Sequence, residues 1–598
     1  MRKCSAIFFT LLLSGFCVTA QQTRAIKFNK EYPNLYIKEN DSAIYKFKFE
    51  KDFYYSFLAQ NRGVNVSVTL SDAQGNIIKS DASYHEADPA RIQYSPSVSG
   101  IYTLKVKLKT DKKYPDAGNY SLLIKSAPQK LRQFSYAELT KDFDVLKNGY
   151  IETKVGLWYN SYGQFDSLCN VQRAKIKDKM TANDLYQILA PVTEYTKEGH
   201  CKIGISEESE LFASQNYRYF PFILKVIDGK VFILNDLDSF KTKGLMISKI
   251  NGISIGVIME KFMSIKPSDG YNITGKYGVI ARDFYKEYAN FYESQPKQFN
   301  LELVDTENNK SIVYNGIAAM PAKVLNKYRQ DFYKSNPRFT FTDYADIKID
   351  TALSTAVMTF NDFEYSGYKD DMEGFEKLLA DYFKTVSALK IKNLIIDLRK
   401  NGGGSQGAED KLLSYLIDKA YSKYKYVELP GFRFSFIQYT QKATKKGQDD
   451  FENRLKREFY LDKDGRYLDK KETHPGEKPK ANNFKGKIYV LINGRTFSGA
   501  SEFSALAKNY TNAKFIGEET GGGYYGNTSG NFFQFILPNT GIQGRIPIFK
   551  YVIVPQENNI PYGRGVLPDY KIQPTIQEYV SGFDTELEFT KKLIRENR

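Results

Sequence analysis

The sequence predicts a multidomain chain: an N-terminal β-sandwich, a helical cap subdomain, a small hairpin-rich domain and an α/β core. Three observations lead there. Residues 22–128 alternate apolar and polar positions in short runs, residues 134–215 change to helical spacing, and from about 330 to 585 apolar β runs alternate with helical segments. A length of 598 residues agrees, since one domain takes roughly 150.

Arg2 and Lys3 precede an apolar run, Ala6 to Leu13, that ends in the small-residue pattern Val18-Thr19-Ala20. Residues 1–20 therefore read as a cleaved signal peptide, and the expected location is secreted or periplasmic. The run is shorter than the roughly 20 residues of a membrane-spanning helix, so no stable membrane insertion is expected. Phe16 before Cys17 stands where lipoprotein processing needs a small residue, which argues against lipidation. Cys169 and Cys201 remain after cleavage, and a disulfide between them and two free buried thiols are equally open readings.

In the sandwich, Ala43-Ile44-Tyr45-Lys46-Phe47-Lys48-Phe49 and Val64 to Leu70 alternate strictly. The segment resembles the small bacterial pre-peptidase β-sandwich and carries no evident chemistry. In the cap, Leu139, Phe143 and Leu146 share a helical face, and Leu185, Ile188 and Leu189 close a helix before Pro191. Residues 218–318 hold two hairpins, one turning at Asp228-Gly229 and one at Asn251-Gly252, and resemble a PDZ-like domain. Such a domain takes an extended peptide by strand addition.

The net charge of +16 is spread among Asp, Glu, Tyr and Asn and forms no stripe, so nucleic acid is not the expected partner. No His-Glu-x-x-His pair or Cys/His cluster is present, and no metal or cofactor is called for.

The chemistry gathers in two loops of the α/β core. After the apolar strand Asn393–Leu398 comes Asp397-Leu398-Arg399-Lys400-Asn401-Gly402-Gly403-Gly404, whose glycines can expose backbone N–H groups to a substrate carbonyl. After the strand Lys487–Ile492, Thr496-Phe497-Ser498-Gly499 opens a helix, placing the Ser498 hydroxyl at the positive end of its dipole. A serine there is also an ordinary helix cap. These two motifs, followed by Phe515-Ile516-Gly517-Glu518-Glu519-Thr520-Gly521-Gly522 and Gly565-Val566-Leu567-Pro568-Asp569, resemble the carboxyl-terminal processing, or tail-specific, serine peptidase family. The resemblance covers about 134–580.

It implies peptide-bond hydrolysis through Ser498, with peptides or proteins as substrates and oligomers as an open possibility. The lysine-dependent branch carries its base where this chain reads Thr520-Gly521-Gly522-Gly523-Tyr524, so another base is needed. Of three histidines, His85 lies in the sandwich and His474 in a charged stretch that reads as a surface insertion. His200, in Glu198-Gly199-His200-Cys201, resembles the Asp-Gly-His-Thr element of the tricorn-core-like branch and is the expected base. The group that orients it is open among Glu502, Glu518 and Glu519, with Glu557 the nearest carboxylate before Gly565. The expected oxyanion donors are the N–H groups of Gly403 and Gly499, with Gly404 beside them. Ser501 is a lesser candidate nucleophile. An inactive binding member of the same fold and an esterase remain as alternatives.

Overall fold

Strict alternation in Ser42–Phe49 turns Ala43, Tyr45, Phe47 and Phe49 to one side, and all four are buried. The computed structural model describes residues 21–596 except 24–26, 29, 52, 84–88, 110–115, 129, 156–157, 238, 337, 341–342, 472 and 555–558. The signal peptide, His85 and Glu557 lie outside the described residues. The chain divides into two units, residues 1–131 and 132–598.

In the first unit, one sheet is ordered Gln21–Thr23, Ser42–Phe49, Gly100–Leu108, Val66–Ser71, Ile77–Ala82, and a second Lys30–Lys38, Ala117–Pro128, Phe53–Arg62, Ala90–Tyr94. Their inward residues, Phe47, Phe57, Val68, Leu104 and Leu122 among them, make one core.

The second unit begins with three helices, Tyr136–Glu152, Tyr162–Arg173 and Ala182–Glu194. Each starts at a reciprocal capping box, Ser135/Glu138, Ser161/Gln164 and Thr181/Asp184. The third runs through Pro191 to Glu194, beyond the expected stop. Burial of Val192 and Thr193 outweighs the one backbone bond that the proline removes near the helix end.

Both expected hairpins form. Asp228-Gly229 and Asn251-Gly252 take positive φ (47° and 76°, 50° and 79°), the geometry of tight hairpin turns. They belong to an antiparallel sheet ordered Leu224–Ile227, Lys230–Ile233, Met246–Ile250, Gln298–Asp305, Lys310–Ala318, accompanied by the helices Ile255–Met263 and Thr274–Phe291.

The α/β core is a six-stranded sheet ordered Ala345–Asp350, Thr355–Phe360, Asn393–Asp397, Lys487–Ile492, Lys514–Gly517, Tyr570–Lys571. It is parallel from the second strand onward. Asn393–Ile396 and Ile488–Ile492 are buried on both faces, which explains their continuous apolar runs. Because the strands from Asn393 to Gly517 are parallel neighbours, the loops at 398–404, 493–498 and 518–523 leave the same edge side by side, where open α/β sheets place their sites. A second sheet joins Lys202–Gly204, Gln543–Ile553, Tyr424–Leu429, Tyr467–Asp469 and Phe459–Leu461, with Gly526–Ile536 also on Gln543–Ile553.

Cys169 and Cys201 are free and buried, so no bridge joins them, and burial pushes each thiol up to about 12. His474 is no surface group. Its ring packs edge-on against Tyr424 and its Nε2 lies 3.1 Å from Asp469. Among the described residues no helix is long and apolar enough to cross a membrane.

Candidate active site

Ser498 stands between the strand Lys487–Ile492 and the helix Gly499–Tyr510 with φ 53° and ψ −127°, a strained conformation that a serine adopts only when its surroundings impose it. The surroundings are specific. Thr496 Oγ1 donates to Leu398 O at 3.0 Å, Phe497 N donates to Asn401 O at 3.2 Å, and Gly403 packs so close that a Cβ there would lie 2.6 Å from that of Ser498. Ser498 occupies the helix cap position, yet its hydroxyl makes no capping bond. It lies instead 3.1 Å from His200 Nε2, 298 positions away in sequence. The cap reading of this serine therefore fails.

His200 follows the turn after Ala182–Glu194 and leads into the strand Lys202–Gly204, which pairs antiparallel with Gln543–Arg545. Its ring packs on Phe497, with centroids 4.5 Å apart, and Arg545 Nε donates to its carbonyl at 3.0 Å. Burial, then the positive charges of Arg545 and Lys202, lower the imidazole to about 3, so it is neutral in the resting protein. Nδ1 is buried without a hydrogen-bond partner among the described residues.

Asp269, from the loop between Ile255–Met263 and Thr274–Phe291, holds this arrangement from behind. Its carboxylate accepts from Gly199 N at 2.7 Å and Gly523 N at 3.1 Å, tying the segment before His200 to the glycine-rich loop. Burial raises Asp269 to about 6, and the two N–H bonds pull the other way.

Residues 354–572 match the family described as Peptidase family S41. The chain carries an S41 peptidase domain. It is thereby a serine-type peptidase. In structure it is similar to mature CPAF, at TM-score 0.51 and 14% identity over 77% of this chain and 97% of that one. The similarity to mature CPAF complexed with lactacystin has TM-score 0.53 and 14% identity, covering 77% and 98%. A photosystem II D1 C-terminal processing protease is similar at TM-score 0.37 and 13% identity, over 77% and 97%. The two similarities to mature CPAF are likenesses of fold.

Within the S41 domain several expected roles are displaced. Glu502 does face inward, but it accepts from Tyr424 OH at 2.8 Å and Asn527 Nδ2 at 2.9 Å, beside Lys423. Glu519 accepts from Arg564 Nε at 2.9 Å and Gly565 N at 2.8 Å, and Glu518 from the Gln573 amide. Each carboxylate is taken by nearer donors, and none of the three is hydrogen-bonded to His200. Gly403 N donates to Asn401 Oδ1 at 2.8 Å, which removes it as an oxyanion donor. The N–H groups of Gly404 and Gly499 carry no such bond among the described residues, and a Cβ built on Gly499 would lie 3.9 Å from Gly404 N. Ser501 donates to Thr496 O at 2.7 Å and accepts from Gly522 N at 3.1 Å, so its hydroxyl is fully used in building the loop.

Sequence reasoning missed Asp269, Asn401, Arg545 and Lys423. Asn401 lies inside a motif already singled out, and an Asx bond to the residue two on was its available signal. Asp269, Arg545 and Lys423 act across the fold and have no local signature.

Proposed function

We propose that the chain is an exported serine peptidase that hydrolyses peptide bonds through an acyl-enzyme on Ser498, with His200 as general base. The observation that carries this reading is the 3.1 Å contact between His200 Nε2 and a serine hydroxyl released from its helix by a strained backbone. Neutral imidazole takes the Ser498 proton as the oxygen attacks the scissile carbonyl, and the resulting oxyanion is received by the N–H groups of Gly404 and Gly499. His200 then passes its proton to the leaving amine. Water, deprotonated by the same imidazole, releases the acyl group. The hairpin-rich sheet at 218–318 would bring an extended peptide to the cleft as a PDZ-like domain does, and export is supported by the charged, apolar and small-residue pattern of residues 2–20.

A fluorophosphonate probe tests the assignment. Wild type should label stoichiometrically and Ser498→Ala not at all, whereas an unlabelled wild type would point to a binding protein built on the same fold. The base should also show in the pH profile. Protonation of His200 removes the proton acceptor, and its surroundings hold that event near 3. The acid limb of kcat/KM, which reports the free enzyme, is therefore expected well below the 6.5 of an unperturbed histidine. A limb centred at 6.5 would contradict the buried, neutral base.

A further inference from the structure

The reaction as proposed leaves two positive charges beside the dyad unused. Lys202 and Arg545 are direct cross-strand partners, so their side chains leave the same face of the pairing, two residues after His200. Arg545 is fixed by two uncharged contacts, the His200 carbonyl at 3.0 Å and the Phe532 ring, whose centroid lies 4.8 Å away. Phe532 in turn lies 6.1 Å from the His200 ring. Arg545 is half-buried and Lys202 exposed, and neither has an ion-pair partner among the described residues, whereas the half-buried Arg399 and the buried Lys423 are each ringed by carboxylates. A guanidinium positioned this firmly, with its charge left unpaired and its forked N–H donors open, is suited to a carboxylate that arrives from outside. The strand Lys202–Gly204 is the end strand of its sheet, the place where an extended peptide can be added.

We propose that Arg545, assisted by Lys202, is a specificity-determining residue that receives a carboxylate of the substrate close to the cleaved bond. The guanidinium is joined to the nucleophile through a single residue, His200, and an extended peptide rising about 3.3 Å per residue covers that span within about three residues. The carboxylate is either an acidic side chain or the free carboxyl end of the peptide. The inference deepens the hydrolase reading and rests on it.

The test uses the full chain, with active sites counted by fluorophosphonate labelling. Matched peptides carry Glu or Gln at each of three positions on either side of the cleaved bond, and end in a free carboxylate or an amide. Wild type is expected to prefer the charged member of one pair by about tenfold or more in kcat/KM, mostly through KM, with the preference shrinking in salt. Arg545→Met should abolish that preference, Arg545→Lys retain part of it, and Lys202→Met reduce it. A Glu/Gln preference assigns an acidic side chain, and a carboxylate/amide preference the chain end. If Arg545→Met does not fold, the wild-type pairs and Lys202→Met still decide. A labelled wild type indifferent to every charged pair, or a preference that survives Arg545→Met, overturns the proposal and leaves the hydrolase reading standing. An unlabelled wild type that cleaves nothing overturns both.

Discussion

Ser498→Ala and His200→Ala are each expected to lower kcat by about 10⁴–10⁶-fold, and the double variant is expected to be no slower than the worse single one. The reason lies in the contact itself. Without His200 the hydroxyl keeps its proton at neutral pH, and without Ser498 the imidazole has nothing to activate, so the two removals delete one event and not two. Whatever rate remains comes from substrate binding and from the N–H groups of Gly404 and Gly499, which neither substitution removes. Single-turnover kinetics on an activated peptide ester would measure it, with near-UV circular dichroism to check that each variant folds. Two large losses that multiply in the double variant would show that the residues act separately and would sink the dyad.

The second large effect is on stability. Lys423 is buried and its Nζ meets Glu409, Asp410 at 2.9 Å and Glu502 at 3.4 Å. Glu409 comes from the helix Ala408–Leu413 and Glu502 from the helix that begins after Ser498. The cluster lies next to the turn that carries Ser498, since a Cβ built on Gly499 would stand 3.6 Å from Glu409 Oε2. Lys423→Met keeps the length of the side chain and leaves the buried carboxylates of Glu409 and Glu502 and the half-buried one of Asp410 without their cation, which should cost about 3–5 kcal/mol. Burial already raises Glu409 to about 7. Loss of the ammonium raises Glu409 further in the folded state, so the penalty should be largest at pH 8 and ease as the pH falls and Glu409 takes up its proton. Urea unfolding at pH 8 and pH 5 measures both parts. A change under about 1 kcal/mol at pH 8, or a penalty that grows on acidification, would contradict the cluster's role.

How much of this is legible in the sequence depends on the range of the interaction. The turn carrying Ser498 is readable because the apolar period changes there from continuous strand to helix, and the paired Gly residues at 252 and 229 mark their hairpins for the same local reason. The role of Glu502 is not readable. Its spacing from Ser498 is helical, but its carboxylate goes to Lys423, Tyr424 and Asn527, which the sheet brings in from elsewhere. The same holds for Glu519 with Arg564, and for Gly403, where a side-chain amide two residues away takes an N–H that the glycine pattern alone leaves free. His200 could be singled out because histidines are few, whereas Asp269 is one carboxylate among many until the fold sets it on two backbone N–H groups.

The union of Ser498 with His200 spans half of the chain, and the strand leading from His200 is completed only by Gln543–Arg545, later than either. Ribosomes add about 5–20 residues per second, and contacts this distant wait on the slow closure of long loops. A nascent chain therefore carries His200 early without Ser498, then Ser498 without the strand that seats His200. On the proposed Ser498–His200 chemistry, cleavage is withheld until synthesis is nearly finished, which spares the emerging polypeptide and its neighbours from a half-built protease.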